Sequence, residues 1–137
     1  MGTVVKNLDI SPNNTFKLTI YVNPTKEQMN SAVSLNYLLA KEIIQRTPER
    51  RSIHLETCFL SVIKTLPDYS LVKDIDVLFN PIYQVNIMTI LLSAFKKKKF
   101  SLIWPGVCDN GKLYYSEPGF KDYESFSIID YDIICAI

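Results

Sequence analysis

Few residues in this chain combine the type and spacing that chemistry requires. The single histidine, His54, has no nucleophile signature near it, and no Gly-x-Ser-x-Gly string occurs. It reads as an ordinary surface residue near the start of a helix. Cys58, Cys108 and Cys135 are odd in number and widely spaced, with no Cys-x-x-Cys pair. That pattern makes neither a disulfide framework nor a zinc site, so reduced structural thiols are expected, with Cys135 in the apolar run IICAI the most buried. The carboxylates Asp122, Glu124, Asp130 and Asp132 show no spacing that selects an acid/base pair, and they read as a solvated acidic face. Neither a metal nor a cofactor is expected.

Nucleotide chemistry has two requirements in an α/β chain. The first is a glycine-rich loop after the first strand, ending in Lys and Ser or Thr, so that backbone N–H groups can wrap phosphate. Here that stretch is Val22-Asn23-Pro24-Thr25-Lys26-Glu27, which has no glycine, and Glu27 would repel a polyphosphate. Thr25 and Lys26 are at most remnants in a strand-to-helix turn. The second is an acid at the end of another strand to hold magnesium. After Val77-Leu78-Phe79 stands Asn80, which carries no charge. If a partner chain completed such a site, Lys26 and Asn80 would sit at the carboxyl ends of adjacent strands, as in a nucleotide-dependent switch.

Binding surfaces are better supported than catalysis. The run Lys96, Lys97, Lys98 and Lys99 could neutralise phosphates in a small nucleic-acid accessory protein, although lysines at a helix end are ordinarily there for solvation. The aromatic set Trp104, Tyr114, Tyr115, Phe120, Tyr123 and Phe126 makes the region from Trp104 to Phe126 the candidate protein-docking surface. Most of it falls in a locally acidic segment, since residues 113–137 carry five acidic side chains and one basic one. The net charge of +1 gives no general field to attract nucleic acid or an anionic membrane.

These residues need elements to position them. A chain of 137 residues fits one domain, here 1–137 with 1–15 as a turn-rich leader that ends in Ser11-Pro12-Asn13-Asn14. With 47% hydrophobic and 21% charged residues the chain should fold. It has neither a run of about 20 apolar residues nor a signal-peptide core, so a soluble cytoplasmic protein is expected. Alternation at Phe16, Leu18, Ile20 and Val22 predicts a strand that Pro24 ends. A polar stretch, Thr25 to Asn30, leads to a helix from about Ser34, as N-cap, to Gln45. Leu55, Phe59, Val62, Ile63 and Leu66 mark a second helix, and Asp74 to Phe79 reads as a strand. A third helix presents Val85, Met88, Leu91, Leu92 and Phe95, followed by a strand from Phe100 to Trp104. Asp109-Asn110-Gly111 predicts a hairpin returning through Lys112 to Tyr115, and a last strand runs from about Tyr131 to Ala136. Strands separated by helices imply α/β architecture, with a mainly parallel sheet, flanking helices and a C-terminal β-hairpin.

The strings Val77-Leu78-Phe79-Asn80-Pro81, Trp104-Pro105-Gly106, Gly111-Lys112-Leu113-Tyr114-Tyr115 and Glu117-Pro118-Gly119 resemble the small P-loop (BrxF-like) family of type 3 BREX phage-defence systems. The resemblance implies a P-loop-like fold and a role in a bacterial anti-phage assembly. Family members carry a Walker A loop and a helix following it, for both of which Pro24 to Asn30 leaves too little room before Leu35, and the family's acid is replaced by Asn80. The chain therefore resembles a degenerate member. It is expected to act without catalysis by docking a protein partner, a larger defence component.

Overall fold

The computed structural model describes residues 1–10 and 16–137. Six parallel strands form the main sheet: β1 (Thr3–Val5), β2 (Leu18–Tyr21), β3 (Val33–Ser34), β4 (Ser70–Lys73), β5 (Phe100–Ile103) and β9 (Ile133–Ala136), in the order β1-β9-β2-β5-β4-β3. Three more, β6 (Val107–Asp109), β7 (Lys112–Tyr115) and β8 (Glu124–Ser127), make a separate antiparallel sheet. The helices are α1 (Lys26–Ser31), α2 (Asn36–Ile43), α3 (Leu55–Lys64) and α4 (Ile87–Lys97). The predicted α/β class, parallel sheet and C-terminal hairpin are therefore present. Among the described residues, no helix is long and apolar enough to cross a membrane.

Strand parity divides the core. Ile20 pairs with both Leu102 and Cys135, so these side chains share one face of the sheet. There they pack with Leu39 and Ile43 of α2, Phe59 and Ile63 of α3, Met88 and Leu91 of α4, and Leu113 and Phe126 of the small sheet. Tyr21, Ile103 and Ala136 point the other way, into a smaller cluster with Ile10, Ala32 and Leu71. All four residues of β2 are buried, because the strand is central in the sheet and covered on both faces. Phe16 falls outside it and is exposed.

Several elements differ from the expectation. The segment Asp74 to Phe79 is no strand: Asp76–Phe79 is a 3₁₀ turn, and the strand lies earlier, at Ser70–Lys73. Asp74, at φ 59°, turns the chain out of the sheet. The buried residues that follow are Ile75, Leu78 and Phe79, a helical i, i+3, i+4 spacing that alternation would not produce. Ser34 does not cap α2. It belongs to β3, and its hydroxyl donates to Asp74 Oδ2 over 2.6 Å. The polar stretch after Pro24 is α1, held by a capping box in which Gln28 N donates to Thr25 Oγ1 and Thr25 N donates to Gln28 Oε1. Residues 3–5 of the supposed leader form the edge strand β1, while Ser11 to Asn14 lie outside the described residues.

Candidate functional site

Open parallel sheets present ligands at the carboxyl ends of their strands. A cleft of about 560 Å³ lies there. Val22 and Asn23 follow β2, Ile137 follows β9 and Val4 comes from β1, while Gly106 and the β6–β7 hairpin form the opposite wall. Gly106 is required by packing. A Cβ there would collide with the Tyr114 carbonyl oxygen, which accepts a 2.9 Å hydrogen bond from Trp104 Nε1. The hairpin tip uses Asn110 and Gly111 at φ 53° and 77°, the left-handed pair a type I′ turn demands. Among the described lining residues only Asp109 is charged, so the cleft offers no cation to a phosphate.

The turn after β2, where a phosphate loop would sit, is filled by its own side chains. Thr25 and Gln28 satisfy each other's backbone N–H groups, and Gln28 also exchanges hydrogen bonds of 2.8 and 3.0 Å with the Asn7 amide. Lys26 is exposed at the first position of α1, a helix of only six residues. Asn80 does not end a strand. Its side chain accepts from Ile82 N, and it lines a different, smaller cleft of about 170 Å³ with Phe79, Lys121, Asp122 and Glu124. Lys26 and Asn80 line no common cleft among those described, and Asn80 lacks the strand-end position that a shared crevice requires.

The aromatic candidates divide by burial. Trp104 and Phe126 are core residues, 4% exposed each and packed edge to face, so neither is a docking contact. Tyr115 is half-buried, stacked on Phe79 at 3.9 Å with its hydroxyl donating to Asp76 Oδ2. Burial, then the charge and hydrogen bond of Asp76, pushes its phenol up to about 12. Tyr114 and Tyr123 are half-buried against each other, and Phe120 alone of the set is well exposed. Tyr115, through Phe79 and Asp76, joins the small sheet to the 3₁₀ turn at 76–79, and Trp104 packs on the same Phe79 ring.

The lysine run is similarly divided. Lys98 pairs with Asp68 at 2.8 Å, and Lys99 lies over the Phe95 ring while donating to the Phe95 carbonyl, which leaves Lys96 and Lys97 as the exposed pair. His54 is half-buried at the start of α3. Of the four carboxylates, Asp122 and Glu124 share the smaller cleft, where burial raises the Glu124 pKa. Among the described residues, no group of three or more His, Cys, Asp or Glu could hold a metal.

The cleft itself was not foreseen from sequence, because its walls come from β1, β2, β9 and the β6–β7 hairpin, which only the fold brings together. No family model, curated protein or solved structure matches the chain.

Proposed function

We propose that the protein acts by binding a protein partner, taking an extended apolar peptide segment into the cleft between β1 and β6, and that it catalyses no reaction. The observation that carries this reading is the convergence of Val4, Val107 and Ile137, 47%, 62% and 47% exposed, on one cleft. The cleft is bordered by two strands that each end a sheet, β1 and β6. Edge strands offer unpaired backbone groups that an added strand can satisfy, while alternate side chains of the peptide meet the apolar rim. Asp109 favours a basic residue in the peptide and disfavours phosphate.

The sequence resemblance supports a bacterial anti-phage defence assembly as the setting, with a degenerate P-loop-like fold as the platform and a larger defence component as the partner. Peptides selected on the wild-type chain from a random display library, then titrated into isotope-labelled protein, test the site. Shifts should centre on Val4, Val107, Asp109 and Ile137, and Val107→Asp should weaken binding about tenfold, or ~1.4 kcal/mol. Shifts centred elsewhere, or undiminished binding by Val107→Asp, overturn the reading. Micromolar affinity for ATP with magnesium, with hydrolysis lost in Lys26→Ala, would establish the nucleotide switch instead.

A further inference from the structure

Two of the three cysteines face each other across the junction of the two sheets. Cys108 pairs with Leu113 on the inner face of the small sheet, and Cys135 pairs with Ile20 on the inner face of the parallel sheet. Both belong to the same core, Cys135 fully buried and Cys108 half-buried, and Val4, the register partner of Cys135 on β1, lines the cleft together with Cys108. Cys108 also lines the open cleft, so one thiol of the pair meets solvent and the other does not. Cys58 lies apart, buried in α3 with Arg46 beside its thiol.

We propose that Cys108 and Cys135 form a reversible disulfide on exposure to peroxide, with Cys108 as the attacked thiol and Cys135 as the resolving one. The Cys108 sulfur attacks one peroxide oxygen, an S–O bond forms as the O–O bond breaks, and the departing hydroxide takes a proton to leave as water. The Cys135 sulfur then attacks the Cys108 sulfenic acid, the S–S bond forms as the S–O bond breaks, and a second water leaves. Two electrons pass from the thiols to peroxide, and a dithiol reductant reverses the change. The product links the small sheet covalently to β9, the strand beside the β1 edge of the parallel sheet.

Burial, then the neighbouring Cys108, pushes the Cys135 thiol up to about 12. The resolving thiolate is therefore scarce at neutral pH, and disulfide formation should quicken as pH rises. The inference does not depend on any peptide occupying the cleft.

Full-length protein is treated with hydrogen peroxide, denatured, alkylated and mapped by mass spectrometry. The expected result is a Cys108–Cys135 cross-linked peptide lacking two hydrogens, with Cys58 alone alkylated and the cross-link reversed by dithiothreitol. Cys108→Ser, altered at the half-buried position, should yield two alkylated thiols and no cross-link. Three alkylated thiols in the oxidised wild type, or sulfinic or sulfonic Cys108 beside an alkylated Cys135, overturn the proposal. The wild-type map decides the matter even if a Cys135 variant fails to fold.

Discussion

Gly106→Ala tests whether the wall of the cleft is built as described. An added Cβ would penetrate the Tyr114 carbonyl oxygen and lie 3.0 Å from Trp104 Nε1. The small sheet must then move away, and the 2.9 Å bond from Trp104 Nε1 to Tyr114 O is the first interaction lost. Leaving a buried indole N–H unpaired costs about 1–3 kcal/mol, and overpacking with backbone displacement about 1–3 more. The expected loss is therefore about 2–6 kcal/mol, a large fraction of the stability of a domain this size. Gly111→Ala is the control, because its Cβ meets nothing within 4 Å and only the φ of 77° is strained; about 1 kcal/mol is expected there. Trp104 is the single tryptophan, so urea unfolding followed by its fluorescence reports directly on this junction. If Gly106→Ala lay within about 0.5 kcal/mol of wild type, or cost no more than Gly111→Ala, the packing argument would be refuted.

Tyr115→Phe removes a hydroxyl that donates to Asp76 over 3.1 Å, and should cost about 1 kcal/mol at neutral pH. Because the folded phenol titrates near 12 and the unfolded one near 10.0, wild-type stability should hold below the lower value and fall as pH rises between the two. The deficit of the variant should shrink over that window in denaturant titrations, and a deficit that stays constant through it would refute the link between stability and the phenol proton shared with Asp76. Glu124 has its pKa raised by burial, so its contribution is full below the ordinary carboxyl value of 4.5 and is lost as pH rises through the folded one. Glu124→Gln should therefore raise the melting temperature at neutral pH and leave it unchanged in acid, and a gain of equal size at both would point to a cause other than charge.

The parts of the fold legible in the sequence were those whose local chemistry and tertiary environment agree. Leu55, Phe59, Val62 and Ile63 are all buried in α3 as their spacing requires, and Asn110-Gly111 forms the hairpin its φ preference demands. α1 was missed because it buries no side chain, so it has no apolar stripe; its Thr-x-x-Gln capping box was the signal available. β3 and β8 are short segments that tertiary pairing holds in place. Val33 meets Val72 and Phe126 meets Leu113 only once the chain has folded, and nothing local announces either.

The site was less legible than the fold, and Asn80 shows why. Placing an acid or its replacement at the end of a strand depends on Val77-Leu78-Phe79 being extended, and an apolar run this short does not distinguish a strand from a helical turn. Ile75 is buried beside Leu78, and Val77 is only half-buried, so the helical spacing prevails. The turn then needs a partner for its backbone. Asn36 supplies one from α2, accepting from Val77 N over 3.0 Å, while Tyr115 and Asp76 pin it to the small sheet. What reads along the chain as an incomplete nucleotide site is, in three dimensions, a joint between α2 and the hairpin that carries the cleft wall. A side chain at position 80 that restored the acid would still have no strand end from which to reach a phosphate-bound metal. Asn80→Asp is therefore expected to leave magnesium–ATP binding undetectable by calorimetry, and measurable binding in that variant would return the segment to a nucleotide role.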